Sequence, residues 1–317
     1  MNVGINKEVD LQRIVRNLRE LRARTRRFVY AVLKANAYGC GAMAVGRALA
    51  EVTDGYYVFD LAEAVGAGLG AYGKPVIVMD HPWRGYSAED YFDARARPIV
   101  HSVERARELK GCDPVLAVDT AMRRFGCPAG DVDRALAEGG IREAMTHGVR
   151  LEEVRRLREL CGGRGLFLHA AATALIDDDE ALMDAIRPGL ALYRGALRVT
   201  ARVVEARDLA AGSRAGYTQF DPSPNGDGSG GRIGVILAGY SHGYKPGLCM
   251  IRGEKRRVFE VGMQSAYVEL RTGEGAGELV TLLGDNLTEA DVAAGWQTSS
   301  QEVLVRLGLP QTSPEIG

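Results

Sequence analysis

Residues 29–41 read Val-Tyr-Ala-Val-Leu-Lys-Ala-Asn-Ala-Tyr-Gly-Cys-Gly. The first five are apolar and match the length of one buried strand, and glycines at positions 39 and 41 end the run before an alanine-rich helical pattern. Lys34 therefore falls at the carboxyl end of the predicted strand, where α/β folds hold their chemistry. Apolar neighbours lower the proton affinity of an amine, and a neutral lysine can form a Schiff base. A single lysine at a strand end is more often a surface residue, so its assignment depends on the rest of the chain.

Strand-length apolar runs recur through the first two thirds of the chain, with helical patterns between most of them. They cover residues 28–33, 56–59, 75–79, 98–100, 114–118, 143–146, 166–169 and 188–192. Strands that alternate with crossovers in this way predict an α/β fold, an N-terminal (β/α)8 barrel of the TIM type. A doubly wound open sheet is the alternative. We favour the barrel because there are eight strand candidates and no Gly-x-Gly-x-x-Gly follows the first of them.

The pattern changes near Leu197, where apolar and polar residues begin to alternate as in antiparallel strands. Further strands are predicted at 232–238, 248–251, 257–261, 266–270 and 279–283, and helices at 288–294 and 300–307. We therefore predict two domains, a barrel over residues 1–196 and a smaller, mainly β C-terminal domain over residues 197–317. Residues 310–317 are predicted to be frayed.

Composition excludes several classes of protein. Of the 317 residues, 46% are hydrophobic and 26% charged, as in an ordinary globular enzyme, and the formal net charge of −1 gives no reason to expect nucleic acid or an anionic membrane as a partner. No apolar run approaches the length of a membrane span, and the first ten residues lack the apolar core of a signal peptide. The five cysteines are scattered without a Cys-x-x-Cys pair, so we expect reduced thiols, a cytoplasmic location and no metal site.

The string at 34–41, Lys-Ala-Asn-Ala-Tyr-Gly-Cys-Gly, resembles the signature that carries the pyridoxal 5′-phosphate (PLP) lysine in the alanine racemase family. Only Cys40 departs from it, where the family usually has His. The resemblance implies that Lys34 holds PLP as a Schiff base and that Tyr38 reaches the phosphate of the cofactor. Further motifs of the family follow in order along nearly the whole chain.

Ile186-Arg-Pro-Gly-Leu-Ala-Leu-Tyr193 resembles the family's (Val/Ile)-Arg-Pro-Gly-(Ile/Leu)-x-x-Tyr. The resemblance implies that Arg187 hydrogen-bonds the pyridine nitrogen of PLP and that Gly189 and Leu190 give backbone N–H groups to the phosphate. An always-charged guanidinium keeps that nitrogen unprotonated and weakens the electron sink, which suits racemisation better than transamination.

Two further stretches of the barrel resemble family motifs. Residues 168–173, Leu-His-Ala-Ala-Ala-Thr, imply that His169 orients the arginine and that Thr173 supplies a phosphate-binding hydroxyl. Residues 118–126, Val-Asp-Thr-Ala-Met-Arg-Arg-Phe-Gly, imply that Arg124 reaches the phenolic oxygen of PLP and the substrate carboxylate, for which a guanidinium fork is suited. A lysine that often braces this arginine in the family is replaced by Ala117. Single Arg or His residues at strand ends are more often structural, so these roles rest on the complete motifs.

The β domain carries the remaining similarities. Ala211-Gly-Ser-Arg-Ala-Gly-Tyr217 resembles the stretch with the family's second base, so Tyr217 would act on one face of the substrate and Lys34 on the other. By resemblance, Tyr240 narrows access to the substrate and the backbone N–H of Met263 binds its carboxylate.

Three positions of the β domain depart from the family's motifs. His242 and Gln264 stand where the family has Asp, and Gln301 stands where it has a phosphate-contacting Tyr. The residues that differ from the family's motifs thus lie around the predicted site, while both predicted bases, Lys34 and Tyr217, are present.

These residues predict a PLP-dependent isomerase, an amino-acid racemase that interconverts L- and D-amino acids by proton transfer through Lys34 and Tyr217. Its substrate would be alanine or a related, specialised amino acid. The resemblance also implies a homodimer with shared active sites, in which the β domain of one subunit covers the barrel of the other. Two alternatives stay open: an amino-acid lyase or decarboxylase of the same fold, and a non-catalytic PLP-binding protein. Non-catalytic PLP-binding proteins of this kind consist of a similar barrel without a β domain. The predicted β domain of this chain therefore argues against the second alternative.

Overall fold

The computed structural model of the protein describes residues 4–81 and 85–310. They form two compact units: the barrel unit, Leu11–Tyr193, and the β unit, which combines residues 4–10 with 194–310. The β unit takes its first strand, β1 (Asn6–Val9), from the start of the chain. The sequence did not predict this strand, and the observed division differs from the expected boundary at residue 196 chiefly in these first residues.

Eight parallel strands close into a barrel in chain order, and the last of them pairs with the first. They are β2 (Phe28–Val32), β3 (Gly55–Val58), β4 (Val76–Val78), β5 (Arg97–Val100), β6 (Val115–Ala117), β7 (Glu143–Gly148), β8 (Phe167–Ala171) and β9 (Ala185–Ile186). Most of their side chains are buried, which explains the continuous apolar runs in the sequence. The predicted (β/α)8 barrel is confirmed.

Helices accompany the barrel strands. They span Leu11–Thr25, Ala42–Leu49, Leu61–Gly66, Ala88–Asp93, Val103–Glu108, Val132–Gly139, Leu151–Cys161 and Leu190–Tyr193. The first helix buries Ile14, Leu18 and Leu21 along one face, as its apolar spacing requires. Each such side chain contributes about 1.5–3 kcal/mol when it is removed from water.

The prediction for the last barrel strand was wrong. The apolar run at 188–192 is not a strand: β9 is Ala185–Ile186, and a short helix occupies Leu190–Tyr193. Pro188 has no N–H to give to a strand ladder, and its carbonyl accepts the N–H of Val32 at 3.2 Å. A short buried apolar run has the same composition in a strand and in a helix, so periodicity could not separate the two.

The β unit is an antiparallel sheet with the strand order β1-β10-β11-β14-β13-β12-β15. Its later strands are β10 (Leu197–Leu209), β11 (Gly231–Ile236), β12 (Gly247–Ile251), β13 (Glu254–Val261), β14 (Ala266–Leu270) and β15 (Leu279–Leu283). A further pairing between β10 and β15 closes these six strands on themselves, and β1 joins β10 with Asn6 opposite Thr200. Helices Glu289–Trp296 and Ser300–Leu307 follow. The predicted smaller, mainly β domain is confirmed.

Two expectations concern the whole chain. Within residues 4–81 and 85–310, no helix is long and apolar enough to cross a membrane. Most of the segment predicted to be frayed, residues 311–317, lies outside the described residues.

Candidate active site

Lys34 follows β2 after a single residue, at the carboxyl end of the barrel strands. Residues 35–38 all have φ between 53° and 56°, so the chain makes one turn of left-handed helix directly after the lysine. This conformation costs an L-residue about 1–2 kcal/mol, and such strain persists where the surroundings enforce it, often at functional sites. The sequence predicted the position of the lysine but not this turn.

The carboxylate of Glu63 holds the left-handed turn. One of its oxygens accepts the N–H of Ala35 at 2.7 Å, and the other accepts the N–H of Phe59 at 2.9 Å. Further along the turn, the side-chain oxygen of Asn36 accepts the N–H of Ala42 at 2.8 Å, which ties the turn to the next helix. These bonds fix the backbone from which the lysine side chain extends.

Positive charge surrounds the Lys34 amine. Burial, followed by the charges of Arg124 and Arg187, lowers the pKa of Lys34, while Glu63 acts in the opposite direction. A lowered pKa increases the neutral fraction of the amine, which is the form that acts as a nucleophile or base.

Arg187 follows β9 and is buried. Its Nη2 donates to the carbonyls of Thr146 and, at 3.1 Å, of Ala170. Its guanidinium lies 5.2 Å from the ring centroid of Tyr57. Two of the three buried side-chain nitrogens without a hydrogen-bond partner in the described part of the chain lie here, Nε of Arg187 and Nδ1 of His169. The sequence predicted that these two side chains act together, and both present an unsatisfied polar atom here.

A buried polar network lies next to His169 in the barrel interior, and the sequence analysis missed it. Oε1 of Glu143 lies 3.0 Å from Nε2 of His169 and accepts the Tyr30 hydroxyl at 2.9 Å, and Oε2 accepts from Nη1 of Arg97 at 2.6 Å. Burial opposes ionisation of Glu143, but the hydrogen bonds and charges of His169 and Arg97 lower its pKa to about 2. Burial, together with the charge of Arg187, lowers the pKa of His169 to about 4.

The Glu143 carboxylate determines the tautomer of its neighbour. A neutral His169 beside an ionised carboxylate carries its proton on Nε2, which leaves Nδ1 as an acceptor. The available signal in the sequence was a pair of charged residues at the beginnings of predicted buried strands: Glu143 is the first residue of the run 143–146, and Arg97 directly precedes the run 98–100.

The predicted phosphate-binding residues of the barrel unit come together after the carboxyl ends of β2, β8 and β9. The ring of Tyr38 stacks on Tyr193 with centroids 4.9 Å apart. A Cβ placed on Gly189 would collide with the Tyr38 hydroxyl, so only glycine permits this approach. Thr173 Oγ1 lies 3.4 Å from the backbone nitrogen of Gly189 and 3.3 Å from that of Ala191. Leu190 begins the short helix at the same place, and burial raises the pKa of Tyr38 to about 12, so its phenol stays a hydrogen-bond donor.

Arg124 borders a small cavity of about 30 Å³ whose lining includes Ala117, Thr146 and His147. Burial and the positive charges of three neighbours lower the pKa of His147 to about 4. These neighbours are Arg187, Lys34 and Arg124. The mouth of the barrel is therefore a cationic site suited to an anionic ligand.

Three predicted residues of the β unit are exposed, with fractions of 93% for Tyr217, 57% for Tyr240 and 61% for Met263. Two backbone hydrogen bonds hold the segment of Tyr240 against the segment of Met263. The N–H of Tyr240 donates to the carbonyl of Gly262 at 2.9 Å, and the N–H of Ser241 donates to the carbonyl of Met263 at 3.0 Å. A Cβ on Gly239 would collide with that same carbonyl, so glycine is required for the approach.

Two family models match the chain, "Alanine racemase, N-terminal domain" over residues 9–196 and "Alanine racemase, C-terminal domain" over residues 196–312. The chain belongs to the alanine racemase family. An alanine racemase from Azoarcus sp. (strain BH72) is 28% identical, with 93% of this chain and 95% of the relative covered. The catabolic alanine racemase of Pseudomonas aeruginosa is 26% identical, with 94% and 95% covered.

Solved structures of alanine racemases share the fold. The biosynthetic alanine racemase of Pseudomonas aeruginosa superposes with a TM-score of 0.86 at 23% identity, covering 99% of this chain and 100% of that one. An alanine racemase from Bartonella henselae with covalently bound pyridoxal phosphate gives 0.84 at 20% identity, covering 97% and 98%. At these identities the likeness concerns the fold alone.

The positions that depart from alanine racemase motifs have definite places in this chain. Ala117 is buried in β6. Nδ1 of His242 accepts the N–H of Gly239 at 3.0 Å and so holds the turn that carries Tyr240. Gln264 is exposed after β13, and Gln301 is exposed in the last helix.

The predicted residues thus fall into one group in the barrel unit and one in the β unit. The first group consists of Lys34, Tyr38, Arg124, His169, Thr173, Arg187, Gly189 and Leu190, and the second of Tyr217, Tyr240 and Met263. Gln301 belongs to a different element of the β unit from the second group. Over residues 4–81 and 85–310, no group of three His, Cys, Asp or Glu side chains could hold a metal ion.

Proposed function

We propose that this protein is a PLP-dependent amino-acid racemase that uses Lys34 and Tyr217 as its two bases and takes alanine or a related amino acid as substrate. The observation that carries the proposal is the strand-end lysine itself. It stands directly before a left-handed turn, among the charges of Arg124 and Arg187, with a lowered pKa.

The barrel unit fits the proposed cofactor. PLP carries a phosphate and a phenolic oxygen. The barrel mouth offers clustered positive charges, and neither Lys34 nor Arg124 forms an ion pair with the described residues. The Nε of Arg187 is a buried donor without a partner in the described residues. The Tyr38 hydroxyl packs against Gly189, and the Thr173 hydroxyl lies beside the backbone N–H groups of Gly189 and Ala191, so hydrogen-bond donors suited to a phosphate are gathered at this place.

PLP, when bound, withdraws electrons from the amino acid and so makes its α-proton removable. Lys34 would hold the cofactor covalently, and the ε-amine, once released, would move the α-proton on one face. The phenol of Tyr217 would move the proton on the other face. Arg187, oriented by His169, would keep the ring nitrogen unprotonated.

The remaining residues would bind and orient. The phosphate would be held by Tyr38, Thr173, Gly189, Leu190 and Gln301. Arg124 and the backbone N–H of Met263 would hold the substrate carboxylate, and Tyr240 would narrow access to the site. A substrate held in this geometry presents its Cα–H bond to both bases in turn.

The decisive experiment incubates purified protein and PLP with single-enantiomer amino acids in D2O. Cα deuteration is followed by NMR and chirality by chiral chromatography. Deuteration with inversion for alanine or a few related amino acids is the expected result and names the substrate. Loss of the carboxylate or of the side chain would instead establish the decarboxylase or lyase alternative, and no exchange with intact PLP binding would leave the carrier alternative.

We further propose a homodimer in which Tyr217 and Met263 complete the site of the partner subunit. Large exposed side chains such as Tyr217, Tyr240 and Met263 are typical of an interaction surface. Mixing inactive Lys34→Ala and Tyr217→Phe proteins tests this proposal, because a mixed dimer would contain one site with both bases. Recovery of about a quarter of the wild-type rate after subunit exchange is expected, and no recovery would contradict shared sites. We also propose a cytoplasmic location, since all five cysteines are buried and free.

A further inference from the structure

The turn that carries Tyr217 projects from the long connection between β10 and β11. A two-residue bridge closes it, with the N–H of Phe220 donating to Ala215 at 2.9 Å and the reverse bond at 3.2 Å. The Tyr217 side chain itself is 93% exposed. Its own contacts therefore do not fix its direction, and the backbone of the turn must do so.

The carboxylate of Glu260 occupies the inside of this turn. Oε1 accepts the N–H of Tyr217 at 3.0 Å, and Oε2 accepts both the N–H and the hydroxyl of Thr218 at 2.7 Å. A Cβ on Gly216, whose φ is 71°, would lie 2.6 Å from Oε1. The turn is thus built around the carboxylate. Gly216 is required for two independent reasons, its positive φ and the collision that a Cβ would make with the carboxylate.

Glu260 is ionised in this position. Only 7% of the residue is exposed, and burial alone would raise the pKa of its carboxyl. The three hydrogen bonds from Thr218 and Tyr217 outweigh burial and lower the pKa of Glu260. Hydrogen bonds to an ionised acceptor are roughly twice as strong as neutral ones.

A β-bulge in β13 explains how two consecutive residues of this strand, Phe259 and Glu260, both contact the turn. In the pairing of β13 with β14, Val258 faces Val268 and Glu260 faces Tyr267, so Phe259 is the extra residue. Its ring stacks on Phe220, with centroids 4.8 Å apart and an interplanar angle of 7°. Bulges redirect side chains near functional sites, and this one supplies an aromatic contact and a carboxylate from consecutive residues.

We propose that Glu260 is a positioning residue for Tyr217: by binding the backbone of residues 217 and 218, it aims the phenol at the face of the substrate where that phenol transfers a proton. This inference rests on the proposed two-base function. Glu260 acts only through the turn. A displacement of about 1 Å at a reacting group can cost up to about 10²-fold in rate, so weakening this contact should impair one proton transfer and spare the other.

The test compares Glu260→Gln with Glu274→Gln in the holoenzyme. Glu274 is the matched control because it is a buried carboxylate of the same unit that binds Arg256 at 2.8 Å and a backbone N–H at 2.8 Å, without contacting the turn. In Glu260→Gln the amide keeps one acceptor oxygen and directs N–H groups at backbone N–H groups. Hydrogen exchange of the Tyr217 and Thr218 amides should accelerate at least about tenfold in Glu260→Gln and remain unchanged in the control.

The kinetic readout separates positioning from structure. In Glu260→Gln, kcat should fall about 10- to 100-fold, with KM changed less than about threefold. The α-deuterium isotope effect should rise for only one of the two enantiomers. Thr218→Val removes the hydrogen bond from the Thr218 hydroxyl to Glu260 and should show the same difference between the two enantiomers, but a smaller one. This variant tests the proposal if Glu260→Gln does not fold.

Three results discriminate the possibilities. Isotope effects that change equally for both enantiomers, or a Glu260→Gln enzyme that behaves like Glu274→Gln, would overturn the role of Glu260. Tyr217→Phe, measured in parallel, reports on the proposed function itself. If it still racemises at the wild-type rate, the two-base function fails and the inference fails with it. If it does not, while Glu260→Gln matches the control, only the inference about Glu260 is wrong.

Discussion

Replacing Glu63 by alanine should release the left-handed turn that follows Lys34. The four left-handed residues at 35–38 carry about 4–8 kcal/mol of conformational strain together. Glu63 ties the turn to a neighbouring segment: it accepts the N–H of Ala35, in the turn, at 2.7 Å and the N–H of Phe59, outside it, at 2.9 Å. A hydrogen bond to a charged group contributes about 1.5–3 kcal/mol. Because this carboxylate is partly exposed, we take the lower value for each bond and expect a destabilisation of about 3 kcal/mol.

Thermal unfolding of the cofactor-free protein, followed by circular dichroism, measures this effect. For a domain of this size, about 3 kcal/mol corresponds to a decrease in Tm of about 6–12 °C. The control is Glu104→Ala, because Glu63 and Glu104 both lie in the first turn of a six-residue helix, Leu61–Gly66 and Val103–Glu108, and both changes remove an interaction with a helix dipole. Equal changes in Tm for the two variants would refute the view that Glu63 stabilises the turn.

Glu63→Ala should also lower the pKa of Lys34 further, because Glu63 is the neighbouring charge that raises it. Competitive acetylation of the cofactor-free protein between about pH 7 and 11, read by mass spectrometry, measures the ionisation of this amine. A pKa for Lys34 that stays the same or rises in the variant would contradict the electrostatic part of the reasoning.

Three more variants test the site. Gly189→Ala should displace the Tyr38 hydroxyl and weaken PLP binding about tenfold or more; equilibrium dialysis measures the affinity, and unchanged affinity would show that the close packing is unimportant. Tyr217→Phe should lower racemisation by about 10²- to 10⁴-fold while one enantiomer still exchanges its α-proton in D2O; exchange of both enantiomers at wild-type rates would rule out its role as a base. The depressed pKa of His169, about 4, should reduce stability as pH falls from about 6.5 towards 4, and that of Glu143, about 2, should extend the loss from about 4.5 towards 2. Denaturant unfolding should show the lower part of this dependence vanish in Glu143→Gln, and a dependence identical to the wild type would contradict the network.

Most of the fold could be predicted because buried parallel strands leave continuous apolar runs. Seven of the eight barrel strands coincide with such runs. The eighth could not be placed because the pair Ala185–Ile186 is too short to give a pattern, and the neighbouring run forms a helix. β1 was missed for a related reason: Asn-Lys-Glu-Val is mostly polar, and its strand conformation comes from pairing with β10 rather than from its own composition.

The candidate site was predicted less completely, and the omissions share a cause. The motifs identify the side chains that would touch cofactor and substrate, whereas Glu63, Glu143 and Glu260 act on other protein groups. A glutamate is ordinarily exposed, and of these three only Glu143, at the beginning of a predicted buried strand, had a local sign of burial. The left-handed turn was equally hidden, because Ala-Asn-Ala-Tyr has no glycine to announce positive φ. Only the folded chain brings these carboxylates to their hydrogen-bond partners, which are backbone N–H groups for Glu63 and Glu260 and side chains for Glu143.

The position of β1 has a consequence for how the chain is made. Since β1 pairs with the strand that begins at Leu197, the whole barrel is an insertion within the β unit. During synthesis, the barrel sequence is complete before the partner of β1 has emerged, and domains generally fold as units from the amino terminus. The barrel can therefore fold while residues 6–9 stay unpaired, and the β unit is completed last. A tag or truncation at the amino terminus would consequently disturb the last domain to assemble and leave the first one intact.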